Sequence, residues 1–169
     1  LAALMNGRAP VGGAVTPRLL ATFEVALARA LAAAVATGAV TVRVLPGGVS
    51  LLTELSRSDD LRLGIVTGNM RATARVKLRS VALDGYFRGG GYGSDSPVRD
   101  VLPGVALRRM GQAEDVLLEP RRAVMIGDTP HDLAAARAHG MRCVLVATGQ
   151  YRHDELAAVG PDILLEDLS

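Results

Sequence analysis

The chain has 169 residues, of which 49% are apolar and 21% are charged. This composition is typical of one soluble globular domain and excludes a disordered chain, and the length leaves too little sequence for two full domains. The formal charge is only +2 and the arginines are scattered, so we expect no nucleic-acid partner.

The first predicted element is a long helix. Thr16 is a suitable N-cap and Pro17 a suitable first helical residue, and apolar residues then recur at helical spacing until Gly38. The preceding residues 1–15 contain several glycine and proline breakers and are predicted to form a loop. Residues 41–45 (TVRVL) are predicted to be a short strand or an extended link, and VSLLTELS a second helix.

Two further features concern the location of the protein. The longest apolar stretch, ALARALAAAVATGAV, is interrupted by Arg29, and no signal peptide is evident, so we expect no membrane partner. Cys143 is the single cysteine and cannot form an internal disulfide, which is compatible with a cytoplasmic location.

Strands and helices then alternate to the end of the chain. The predicted strands are 61–66, 87–92, 123–126, 143–147 and 162–165. The predicted helices between them are 70–82, 97–111, 130–139 and 153–159. This alternation predicts an α/β fold with a parallel sheet and right-handed crossovers. Ligands of such sheets bind at the carboxyl ends of the strands, so the segments that follow the strands are the candidate site.

The first candidate segment is TGN, residues 67–69. The strand LGIVT ends at Thr67, Gly68 allows a ligand to approach the backbone, and Asn69 adds a side-chain donor before the next helix. A hydroxyl, backbone N–H groups and a helix N-terminus form an anion site. The alternative is that Thr67 and Asn69 only cap the helix.

The second candidate residue is Arg99. Ser96-Pro97 is predicted to begin the helix after the glycine-rich strand, which places Arg99 in its first turn. An exposed cation there opposes the helix dipole at a cost of about 0.3–1 kcal/mol, and a nearby anion would reverse that sign. The alternative is a structural ion pair with Asp95 or Asp100.

The third candidate segment is GDTPHD, residues 127–132. Asp128 ends a buried strand, where hard oxygen ligands for Mg²⁺ are expected. Asp132 stands three residues after Thr129, with Pro130 between them, so it also fits a capping box that only satisfies backbone donors. Both interpretations of Asp132 remain open at this point.

The ordered set LGIVTGN, then an arginine that opens a helix, then VMIGDTPHDLAAARAHGMRCVLVATG resembles the haloacid dehalogenase (HAD) superfamily. Within it the resemblance is to the phosphoglycolate-phosphatase-like branch. The similarity covers roughly residues 46–169. It implies a three-layer, Rossmann-like parallel sheet for this core, with residues 1–45 as a partial helical cap.

The resemblance also implies roles for individual residues. Thr67 matches the second-motif hydroxyl that binds the transferring phosphoryl group, with Gly68 and Asn69 beside it. Asp128 matches the fourth-motif acid that holds Mg²⁺, and Asp132 the acid that supports the metal shell.

The third-motif cation is expected to be Arg99. Lys77 is the only lysine of the chain. It lies about two turns down its helix, roughly 12 Å from the strand edge by helix rise, which favours the arginine.

One part of the family pattern has no counterpart in this sequence. The first motif, Asp-x-Asp-Gly-Thr at the end of a central strand, supplies the nucleophile and the general acid/base. Asp84-Gly85 follows a helix and is predicted to be a turn instead. We therefore expect the chain to be a fragment of a longer protein, with two strand edges and an apolar slot left open.

Two functions follow as hypotheses. The first is a Mg²⁺-dependent phosphatase of small phosphorylated metabolites that uses an aspartyl-phosphate intermediate, with this chain an inactive fragment of it. The second is a non-catalytic phosphate-binding or scaffold protein of the same fold. A phosphoacceptor signalling domain fits the order of the motifs less well, and the substrate and oligomeric state are not specified.

Overall fold

The structure is a computed structural model that describes residues 16–169. The loop predicted for residues 1–15 lies outside the described residues. The helices of the described range are α1 (Pro17–Ala36), α2 (Gly48–Ser56), α3 (Arg71–Ser80), α4 (Leu102–Glu114), α5 (Pro130–Ala138) and α6 (His153–Ala158). The strands are β1 (Gly64–Thr67), β2 (Gly89–Tyr92), β3 (Val124–Gly127), β4 (Arg142–Val146) and β5 (Ile163–Leu165).

The long N-terminal helix is confirmed. Thr16 has extended backbone angles, and its Oγ1 accepts a hydrogen bond from the Leu19 N–H at 3.2 Å. Pro17 follows as the first helical residue, and Gly38 stands just past the end with a φ of +75°. The helix therefore begins and ends where its capping residues predict. Residues 41–45 are an extended link and not a strand.

Helix α1 packs on α3 rather than into the core. The Ala72 N–H, in the first turn of α3, donates to the Glu24 carboxylate of α1 at 2.8 Å. By length and composition α1 is also the one helix of residues 16–169 that could cross a membrane, with a hydropathy of 1.8. None of its residues is buried. The expected absence of a membrane partner stays a prediction.

All strand pairs are parallel, and they form two sheets. In one, β1 pairs with β2, with Gly64 opposite Gly89 and Thr67 opposite Tyr92. In the other, the order is β3-β4-β5. Helix α4 packs on β1 and β2, whereas α5 packs on β3 and β4. The predicted α/β fold with a parallel sheet is confirmed.

One edge of β1 and one edge of β3 have no strand partner within the described residues. On β3, Val124 and Ile126 are 47% and 46% exposed, although both are apolar residues of a strand. A parallel strand normally has both faces and both edges covered. The resemblance implies an open slot at such edges, and the absent strand stays a prediction.

The core lies under the second sheet. It is built from side chains of β3, β4, α5 and α6, including Met125, Leu133, Leu145 and Leu156. Cys143 is also part of this core and has no exposed surface. Burial raises the pKa of its thiol to about 11, so the side chain behaves as a small protonated hydrophobe.

The predicted start of the helix after β2 was wrong. Arg99 lies in a single 3₁₀ turn, Arg99–Val101, and α4 begins only at Leu102, with Pro103 in its first turn. The Ser96 Oγ accepts from the Val98 N–H at 3.0 Å, which closes a local turn instead of capping a helix. Arg99 therefore precedes the helix and does not oppose its dipole from within.

Candidate active site

The turn after β1 lies against the turn after β2. The Gly93 N–H donates to the Asn69 carbonyl oxygen at 2.9 Å. A Cβ added to Gly93 would overlap the carbonyl oxygen of Gly68, so a glycine is needed for this close approach. The packing fixes the position of the TGN turn at the carboxyl ends of the two strands.

Within the TGN turn, Thr67 and Asn69 are bonded to each other. The Thr67 Oγ1 accepts from the Asn69 backbone N–H at 3.1 Å and from the Asn69 Nδ2 at 2.8 Å. Thr67 is half-buried, and Gly68 and Asn69 are exposed. The hydroxyl and the glycine backbone therefore line an accessible turn, as the sequence predicts for an anion site.

The N-terminus of α3 contributes less to this site than expected. The Arg71 N–H donates to the Ser94 Oγ at 3.1 Å, and the Ala72 N–H donates to Glu24. These donors of the first turn are already used by the protein. The candidate anion site is consequently limited to the turn itself and nearby side chains.

The turn after β3 is organised by Asp132. Its Oδ2 accepts from the Asp128 N–H and the Thr129 N–H, both at 3.1 Å, and from the Thr129 Oγ1 at 2.8 Å. In return the Thr129 Oγ1 accepts from the Asp132 N–H at 3.2 Å. This reciprocal pair is the capping box that the sequence allows. A Cβ at Gly127 would overlap the Asp132 side chain, so the glycine admits the carboxylate.

Arg99 joins the two turns. Its NH2 lies 2.5 Å from the Asp132 Oδ1, and its NH1 lies 3.6 Å from the position that a Cβ on Gly68 would occupy. The structural partners expected from the sequence, Asp95 and Asp100, do not pair with it within residues 16–169. The TGN turn and the acidic turn after β3 therefore share one rim of the molecule, with a guanidinium between them.

Asp95 is instead paired with Arg109 of α4. Both guanidinium nitrogens of Arg109 contact the carboxylate, at 2.5 and 2.7 Å, and NH1 also donates to the Gly90 carbonyl. The hydrogen bond from Arg109 lowers the pKa of Asp95 below its ordinary value. Sequence reasoning missed this bidentate pair, because the two residues stand on different elements. Arg109 thereby secures the turn that supports the TGN segment.

Lys77 reaches the site from the body of α3. Its Nζ donates to the Asn69 Oδ1 at 2.9 Å. The sequence analysis did not predict this contact, because helix rise alone places Lys77 too far from the strand edge. Arg99 and Lys77 thus approach the TGN turn from two different elements, and the assignment of the third-motif role to Arg99 stays a prediction.

A HAD-hydrolase-like family model matches residues 103–169, which include Asp128 and Asp132. Phosphoglycolate phosphatase of Rhodospirillum rubrum is 29% identical over 134 residues, which cover 75% of this chain and 50% of that protein. Phosphoglycolate phosphatase 1 of Pseudomonas aeruginosa is 29% identical over 145 residues, which cover 86% of this chain and 52% of that protein. The chain spans about half the length of these curated relatives.

Solved structures give the same result for the fold. CbbY from Rhodobacter sphaeroides in complex with phosphate superimposes with a TM-score of 0.69 at 24% identity, over 95% of this chain and 66% of that one. A mutant of CbbY in complex with xylulose-(1,5)bisphosphate has a TM-score of 0.59 at 28% identity, over 73% and 54%. The chain belongs to the haloacid dehalogenase superfamily. Within the superfamily it is phosphoglycolate-phosphatase-like.

Among the acids of this chain, Asp128 is the candidate metal ligand. Its carboxylate is half-buried and makes no hydrogen bond or ion pair within residues 16–169. It packs against Gly149 of the turn after β4, where a Cβ would overlap the Oδ2. The backbone thus leaves room for a carboxylate that has no protein partner in this range.

A metal ion bound at Asp128 would have few protein ligands in the described range. Residues 16–169 contain no cluster of three or more His, Cys, Asp or Glu side chains. Mg²⁺ commonly takes one or two carboxylates and completes its shell with water and substrate phosphate. Asp132 already accepts protein donors on both oxygens, so its contribution in the structure is to position Asp128 and Arg99. Direct coordination by Asp132 stays a prediction.

Proposed function

We propose that this chain carries the phosphate- and metal-binding part of a Mg²⁺-dependent phosphatase of small phosphorylated metabolites. The supporting observation is the position of Arg99, which lies beside Gly68 and pairs with Asp132. A phosphoryl group bound at the TGN turn would therefore lie near both a guanidinium and the acidic turn. The phosphatase names of the two curated relatives point in the same direction.

Each side chain of the site has a distinct task in this proposal. The Thr67 hydroxyl and the Gly68 backbone bind the phosphoryl oxygens, and Arg99 neutralises their charge. Asp128 would hold Mg²⁺, which when bound supplies further positive charge beside the transferring group. Asp132 keeps Arg99 and the Asp128 turn together through its two oxygens.

The reaction also needs a nucleophilic carboxylate. In the proposed chemistry this carboxylate attacks phosphorus, and the second carboxyl group of the same motif protonates the substrate oxygen, which leaves as an alcohol. The second carboxylate then takes a proton from water, which hydrolyses the acyl phosphate to the free carboxylate and phosphate. No Asp-x-Asp-Gly-Thr motif occurs in the 169 residues. We infer that a further parallel strand carrying this motif pairs between β1 and β3, each of which has one edge without a strand partner in the described range.

The test is a colorimetric phosphatase assay on two forms of the protein. One is the present chain, and the other is the chain extended at its N-terminus by a strand that ends in Asp-x-Asp-Gly-Thr. We expect Mg²⁺-dependent turnover only in the extended form, and loss of turnover on Asp128→Asn. The matched control carries Asn-x-Asn-Gly-Thr in the same extension. An extended chain that folds but is inactive, or one that tolerates Asp128→Asn, would contradict the proposal.

A second function has one observation in its favour. The sequence keeps Thr67, Arg99 and Asp128 but has no first motif, as expected of a non-catalytic phosphate-binding or scaffold protein. Mg²⁺-dependent binding of orthophosphate by the chain, with no turnover in the extended form, would favour this function. The cytoplasmic location is likewise a proposal, based only on the single cysteine.

A further inference from the structure

Three polar side chains form a chain of hydrogen bonds that ends at the TGN turn. Lys77 donates from its Nζ to the Asn69 Oδ1 at 2.9 Å. The Nδ2 of Asn69 donates to the Thr67 Oγ1 at 2.8 Å. Lys77 therefore contacts the second-motif hydroxyl through one intervening amide, although it stands eight residues beyond Asn69.

The lysine decides which way the Asn69 amide faces. An ammonium group has only donors, whereas an amide has one acceptor end and one donor end. The end that faces Lys77 must be the oxygen, so the NH₂ group must face Thr67. Without the ammonium the amide can turn over and present its oxygen to the hydroxyl instead.

The orientation of the amide in turn decides where the Thr67 proton lies. A hydroxyl has two acceptor lone pairs and one donor. The Oγ1 of Thr67 already accepts from the backbone N–H and from the Nδ2 of Asn69. Its own O–H must therefore donate elsewhere, and the accessible direction is the turn where an anion would bind.

We propose that Lys77 is a positioning residue that holds the Asn69 amide so that the Thr67 hydroxyl donates a hydrogen bond to the bound phosphoryl group. The proposal rests on the proposed phosphate site. Arg99 lies beside Gly68 and acts on the anion by charge, whereas Lys77 acts through Asn69. The two cations therefore have different tasks at one turn.

The experiment uses the ¹⁵N-labelled chain and inorganic phosphate as the probe. NMR spectra without phosphate report the side-chain amide signals of Asn69, and a titration with orthophosphate at constant Mg²⁺ reports the affinity. The variants are Lys77→Met, Lys77→Arg, Asn69→Ala and the double variant Lys77→Met/Asn69→Ala. Arg75→Met is the matched control, because it removes one exposed positive charge from the same helix.

Before phosphate is added, Lys77→Met is expected to shift the Asn69 side-chain amide signals, whereas Arg75→Met leaves them in place. In the titration Lys77→Met should weaken orthophosphate binding about tenfold, as expected when a hydrogen bond to a charged group loses its proper orientation. Lys77→Arg should restore most of the affinity, because a guanidinium also has only donors. The double variant should bind no more weakly than Asn69→Ala alone.

Two results would overturn the proposal. One is an Asn69 amide signal that is the same in Lys77→Met and in the wild-type chain. The other is additive losses in the double variant, because additivity would mean that Lys77 acts on the anion directly. A wild-type chain that binds no orthophosphate would contradict the proposed phosphate site, while the Asn69 signals would still decide whether Lys77 orients the amide.

Discussion

The two acids of the turn after β3 are expected to differ in how much the same substitution changes the stability of the fold. Asp132 is buried, and its two oxygens accept four hydrogen bonds from the protein. Asp128, four residues earlier, has a carboxylate with no partner in the described residues. Asp132→Asn should therefore destabilise the fold, whereas Asp128→Asn should leave its stability nearly unchanged.

The structure gives the magnitude for Asp132→Asn. An asparagine has a single oxygen, which can replace either the Oδ2 that accepts three donors or the Oδ1 that faces Arg99. In the better orientation its NH₂ group faces the guanidinium, so one hydrogen bond to a charged group is lost, typically about 1.5–3 kcal/mol. Arg99 is 41% exposed and can turn toward water. We therefore expect a loss of about 2 kcal/mol in the free energy of unfolding, near the lower end of that range.

The assay is urea unfolding at neutral pH, followed by circular dichroism, for the wild-type chain and both variants. The two substitutions remove the same charge from the same turn, so each serves as the control for the other. Asp128→Asn should fall within about 0.5 kcal/mol of the wild type. Equal losses in the two variants, or a larger loss for Asp128→Asn, would refute the division between a structural and a metal-binding acid.

Three further predictions concern stability and reactivity. Arg109→Met should lower the free energy of unfolding by about 2 kcal/mol. It should also make this free energy less sensitive to acid, because the Arg109 hydrogen bond lowers the pKa of Asp95. That stabilisation is present above the ordinary carboxyl pKa of 3.8 and is lost as the pH falls through the lower native pKa, so urea unfolding across this range measures it. Gly93→Ala should cost about 1–3 kcal/mol because its Cβ would overlap backbone, whereas Gly85→Ala, with open space around it, should be neutral in the same assay. Cys143 should resist a thiol reagent in the native chain and react once in urea, and rapid native labelling would contradict its burial.

Much of the fold could be predicted from local patterns. The position of α1 follows from Thr16, Pro17 and Gly38, because capping depends on residues close together in the chain. Strand bounds were less accurate, because they depend on a neighbour. The strand predicted at 61–66 is observed at Gly64–Thr67, since only these residues have partners in β2.

At the site, the local turns could be predicted but the long-range partners could not. The capping box of Thr129 and Asp132 is a pattern within four consecutive residues, and it is observed. The pairing of Arg99 with Asp132 joins residues 33 positions apart, and no spacing rule indicates it. Lys77 was judged by helix rise alone, yet side chains on a helix lean toward its N-terminus and a lysine is long, so its Nζ reaches Asn69.

Helix α5 is attached to the Arg99 turn at both of its ends. At the N-terminal end Asp132 binds Arg99, and just past the C-terminal end a ring nitrogen of His139 lies 2.6 Å from the Asp100 carbonyl oxygen. The helix is nine residues long, about 13 Å, and the turn contacts it near both ends. If the helix tilts, the Arg99 guanidinium should move with it, so that its distance from Asp128 changes little. Loss of the His139 contact with Asp100 would thus also affect the pair of Arg99 and Asp132 near the opposite end of the helix.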